Sequence, residues 1–165
     1  MYRKILIPTD GSDLCRDAAR KGIEYARETG AASAQLLEDF FELAGLSLPQ
    51  KLSFTAESLG TVEIQYHRLQ ENPTQDENLS IDELERLMAY FLGDVIVRQI
   101  GAEWVIYGGP EHVFSPTVVK VNATGLHRDV FMLCSGFGRK NHLLGARQNR
   151  ALQTFFQGSE HSGFD

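Results

Sequence analysis

Residues 80–100 read SIDELERLMAYFLGDVIVRQI, and this run decides how the rest of the chain is organised. Ile81, Leu84, Leu87, Met88, Phe91, Leu92, Val95, Ile96 and Ile100 recur at the three- and four-residue spacing of a helix. Ser80 and Glu83 stand at capping-box spacing, so each can satisfy a backbone donor of the other, and Gly101 supplies a stop. The apolar face is too wide for a helix lying half in water. The pattern predicts a central core helix with the other elements packed around it.

Downstream of that helix, short apolar runs predict strands at 103–107, 117–121 and 130–134, separated by Gly-Pro and Gly-Leu turns. A last helix is expected over 143–156, followed by a polar tail at 158–165 that frays. Upstream, residues 33–44 read as a helix through Leu36, Leu37, Phe40, Phe41 and Leu43, stopped by Gly45. A short strand is expected at 51–55. Residues 61–69 alternate, with Val62, Ile64 and Tyr66 on one side and Glu63, Gln65 and His67 on the other, which predicts a half-exposed strand. A polar loop then runs through 70–78.

The chain opens differently. Residues 2–7 form an apolar strand pattern that runs into Pro8-Thr9-Asp10-Gly11-Ser12. An amphipathic helix pattern follows over 13–28, with Ser12 placed as its N-cap and Gly30 just past its end. That is the βα unit with which doubly wound α/β folds begin, and the turn between strand and helix is where such folds bind ligands. No buried second strand follows it, and strands cluster late. The expected fold is therefore α+β with a mixed sheet that opens with a βα unit. Residues 1–157 form a single domain in this reading, with a composition break near 30–33 and the tail at 158–165.

Composition narrows the function. A chain of 165 residues with 42% hydrophobic and 23% charged content suits a globular protein with a sizeable core. No run reaches the roughly 18–20 apolar residues that span a bilayer, and early acids at Asp10 and Asp13 do not suit a signal peptide. A cytoplasmic location and no membrane partner are expected. A net charge of −6 argues against nucleic acid as partner. The two cysteines, Cys15 and Cys134, are too few for a disulfide framework. His67, His112, His127, His142 and His161 lack the paired spacing of metal ligands, so no metal is expected.

Two stretches could bind an anion. In the first, Asp10 would stand at the carboxyl end of the opening strand, where its carboxylate can accept from an adenine amino group or a ribose hydroxyl. Pro8, Thr9, Gly11 and Ser12 complete that turn, and backbone N–H groups at a helix start suit a phosphate. The same residues also read simply as a turn and cap, and both readings stand. In the second, Gly136-Phe137-Gly138 precedes Arg139 and Lys140, so flexible backbone amides lie beside cations. No Gly-Lys-Ser/Thr follows, which makes a flexible turn the plainer reading. No set of catalytic residues assembles anywhere in the chain.

The lysine-bearing start, the strand and Pro8-Thr9-Asp10-Gly11-Ser12 resemble the opening of the universal stress protein family, over residues 1–31. The resemblance implies an alternative fold, the α/β sandwich of that family, together with ATP as cofactor and a homodimer as the assembly. That family's later Gly-x-x-Gly and Gly-Ser/Thr pattern is not matched by Gly108-Gly109-Pro110 or by the glycines from Gly136 to Gly145. The first functional expectation is accordingly a small cytosolic stress-type protein that binds an adenine nucleotide without turnover. The second is a non-enzymatic α+β protein-interaction module formed by residues 33–165, with the βα element appended and the partner unidentified.

Overall fold

The computed structural model describes residues 30–76, 79–108, 114–119, 127–139 and 150–161. Five helices and three strands can be given bounds within them, and residues 137–139 are helical as well. In chain order they are α1 (Gly30–Leu43), α2 (Ala56–Glu71), α3 (Ile81–Ile100), β1 (Glu103–Gly108), β2 (Phe114–Val119), β3 (His127–Arg128), α4 (Val130–Cys134) and α5 (Ala151–His161).

Helix α3 is the centre. Its buried residues, Leu84 to Ile96 with few gaps, cover most of its circumference because α1, α2, α4, α5, β1 and β2 each pack on part of it. Ser80 caps it, accepting from the Glu83 amide at 3.1 Å, and Gly101 ends it in the left-handed conformation at φ 68°. Leu37, Phe40 and Phe41 of α1, Leu59, Val62, Tyr66 and Leu69 of α2, and Leu152 and Phe156 of α5 complete one continuous core. Trp104, just beyond α3, lies back on it over Gly93, whose missing side chain lets the indole approach the helix.

The strands form a small sheet in the order β1-β2-β3, antiparallel throughout. Glu103 pairs with Val119 at one end of the first ladder and Gly108 with Phe114 at the other. β3 reaches only Val118 and Val119, so the part of β2 holding Pro116 is an edge on that side among the described residues.

Helices account for most of the described residues, and this corrects the expected fold. Among the described residues there is neither an α+β fold organised by a mixed sheet nor an α/β sandwich; the sheet is a minor antiparallel appendage to a helical core. Two mistaken strands explain the difference. Residues 61–69 lie inside helix α2, where burial follows Ser58, Leu59, Val62, Glu63, Gln65, Tyr66 and Leu69, a helical rather than a two-residue repeat. Thr55 starts that helix by accepting from the Ser58 amide. Residues 130–134 are helix α4, capped by Asp129, which accepts from the Met132 amide at 2.8 Å. The short strand expected at 51–55 is irregular, and α5 continues to His161 through the start of the expected tail. The opening βα unit falls outside the described residues.

Candidate functional site

Three buried acids join helices that are far apart in the chain. Glu85 of α3 accepts from the Tyr66 hydroxyl at 2.8 Å and from the Gly136 amide at 2.7 Å. The Tyr66 oxygen in turn accepts from the Gly138 amide at 2.9 Å and from Gln70 Nε2 at 3.3 Å. Phe137 stands edge-on to the Tyr66 ring, 5.2 Å between centroids. Burial, then the hydrogen bond and negative charge of Glu85, push the Tyr66 hydroxyl far above its ordinary pKa, so it stays protonated as a donor.

Glu63 of α2 has both oxygens on the start of α5, accepting from the amides of Ala151 at 3.0 Å and Leu152 at 3.1 Å. It thus caps a helix some 90 residues away with a fully buried carboxylate, and His67 Nε2 stands 3.7 Å from it. Asp94 of α3 accepts from Ser33 Oγ at 2.6 Å and from Trp104 Nε1 at 3.0 Å. Burial raises the Asp94 pKa, and those two donors oppose the rise.

Outside the core, α2 and α5 enclose an open groove of about 510 Å³ lined by Glu57, Gly60, Thr61, Ile64, Arg150, Gln153, Thr154 and Gln157. The two helices run antiparallel. Glu63 meets the first residues of α5, while Gln153 Nε2 donates back to the carbonyl of Ala56 at 2.8 Å. Glu57 therefore marks one end of the groove and Arg150 the other, and both are exposed. Between them the walls are amides and hydroxyls, with Ile64 as the apolar exception, 46% exposed.

The expected sites fare unequally. Pro8, Thr9, Asp10, Gly11 and Ser12 lie outside the described residues. Gly136 and Gly138 belong to the Tyr66–Glu85 network, and their amides donate to protein oxygens there. The acids in the first turns of α3 divide: Asp82 is exposed, whereas Glu85 is buried. Glu63, Glu85 and Asp94 had not stood out as structural acceptors. The signal available was position, because Glu85 sits between Leu84 and Leu87, and Asp94 between Leu92 and Val95, on a helix buried over most of its circumference. Among the described residues no group of three or more acid, histidine or cysteine side chains is placed to hold a metal ion, and no helix is long and apolar enough to cross a membrane.

Residues 25–157 match the model of the family described as Uncharacterised protein YwmA, and the chain belongs to that family. This corrects the resemblance to universal stress proteins, which rested on residues 1–31 alone, whereas the family match covers most of the chain. No curated protein and no solved structure matches the chain.

Proposed function

We propose that this member of the YwmA family is a non-enzymatic, helix-built interaction module that meets its partner through the groove between α2 and α5. The observation that carries this reading is the contrast between inside and outside. Among the described residues each buried carboxylate already holds two structural donors, while the groove presents an acid, a cation, amides, hydroxyls and one exposed isoleucine to solvent. A mixed polar lining around a small apolar spot has the character of a non-obligate protein contact. The reading includes a cytoplasmic location, which cell fractionation checks.

A photo-cross-linking residue at Thr154, in the groove, tests the proposal against the same residue at Asp39, on the exposed side of α1. Defined protein adducts from Thr154 and none from Asp39 are expected. Equal yields from both positions would overturn the reading. Titration with ATP supplies the competing outcome: a micromolar affinity lost in Asp10→Ala would make the chain a nucleotide binder instead.

A further inference from the structure

The two ends of the groove carry opposite charges, and the distribution complements itself. If a copy is turned by a two-fold axis lying across the groove, the Glu57 end of one molecule lies over the Arg150 end of the other, and the reverse. An isologous contact makes each such pair twice. A two-fold along the groove would instead set acid against acid and cation against cation, so the charges favour an axis across the groove over one along it. We infer that the groove's partner is a second copy of this chain, docked with its groove antiparallel and held by two Glu57–Arg150 pairs. This rests on the interaction reading above and names its occupant.

The remaining lining fits that geometry. Thr61, Gln153 and Thr154 lie near the middle; Thr61 and Gln153 donate to α2 backbone, to the carbonyls of Glu57 and Ala56, and keep their oxygens as acceptors for the second copy. Ile64 lies towards the Arg150 end, since its neighbour Glu63 caps the start of α5, so it covers the aliphatic part of Glu57 of the second copy. Gly60 lets Gln153 pack close on α2, because a Cβ there would come within 2.9 Å of Gln153 Nε2. The available face is limited. The 16-residue α2 is about 24 Å long and the 11-residue α5 about 16 Å, and at about 10 Å of width each they offer roughly 400 Å² per copy. That is the low end for a specific interface, so pairing is weak, concentration-dependent and reduced by salt.

Sedimentation equilibrium of the full chain tests this through charge reversal. The wild type is expected to associate reversibly to dimers, and E57R or R150E alone to weaken association more than about tenfold, because each places two like-charge pairs across the axis. An equimolar mixture of E57R with R150E is expected to restore pairing, since every contact is then acid to base, and the double variant E57R/R150E is expected to pair like the wild type. Recovery on mixing also shows that neither single variant is misfolded. A wild type that stays monomeric at all concentrations overturns the inference, as does a dimer indifferent to both reversals. If cross-linking from Thr154 still captures another protein in that case, the interaction reading survives and only the second copy is excluded.

Discussion

Glu85 carries two donors from two different segments, and its side chain decides whether Tyr66 and the turn at Gly136 are held together. Glu85→Ala leaves the Tyr66 hydroxyl and the Gly136 amide without their acceptor in a buried site. The expected cost is about 2–4 kcal/mol of unfolding free energy, read by urea denaturation. Glu85→Gln keeps one oxygen for one of the two donors and is expected to cost less, because only one buried donor then loses its acceptor. Equal losses in the two variants would mean that the full carboxylate is needed and that neither a single oxygen nor the volume of the side chain replaces it. Asp94 shows a different dependence. Its folded pKa lies above the ordinary carboxylate value, so protonation favours the folded state: the favourable contribution is full below the unfolded pKa and is lost as pH rises through the folded one. Relative to Asp94→Asn, the wild type is therefore expected to gain stability as pH falls from neutral into the carboxylate range, measured by denaturation at a series of pH values. A constant difference would show that Asp94 does not titrate with folding. Position among apolar residues singles out both acids, but what they accept from was not legible in the sequence, because their donors, 51 residues away for Gly136 and 61 for Ser33, meet them only in the fold.

Helix α3 could be read from the sequence because three signals coincide within it: a cap at Ser80, apolar residues at helical spacing, and Gly101. Helix α2 could not, because Val62, Ile64 and Tyr66 alternate by chance and β-branched residues suggest a strand. Length should have decided, since Thr55 and the spacing of Leu59, Val62, Tyr66 and Leu69 extend the pattern over four turns. Val130 to Cys134 fails for the opposite reason: five apolar residues are too few to show a period, and only the Asp129 cap marks a helix. Gly93 tests the packing between elements. In Gly93→Ala the new methyl overlaps the Trp104 indole, so α3 and the start of β1 must separate. A net loss of about 1–2 kcal/mol is expected, overpacking outweighing the roughly 1 kcal/mol of helix propensity that alanine brings. Trp104, the single tryptophan, reports it directly, and its emission is expected to shift to the red as the indole gains water. An unchanged spectrum with raised stability would show that the indole moves aside without cost.

At the scale of the whole molecule, the helices are stitched by side chains acting over long sequence separations, and the groove exists only because α5 is fastened to α2. Glu63 is that fastening. Its carboxylate satisfies two of the four amides that α5 leaves open at its start, and it lies fully buried beneath the groove's Arg150 end. Glu63→Ala removes both acceptors at once, and no other residue of α2 is shown bonding those amides. Hydrogen exchange at Ala151 and Leu152 is expected to accelerate at least tenfold, while the central amides of α3 keep most of their protection, because opening α5 is local whereas opening α3 requires global unfolding. The same variant is expected to lose self-association through the groove, since Gln153 and Thr154 no longer hold their places on α2. Glu63→Gln retains one oxygen for one amide and should fall between the two. If α5 exchanges as slowly in Glu63→Ala as in the wild type, its docking depends on Leu152 and Phe156 in the core rather than on the cap, and the groove would outlast the loss of the carboxylate.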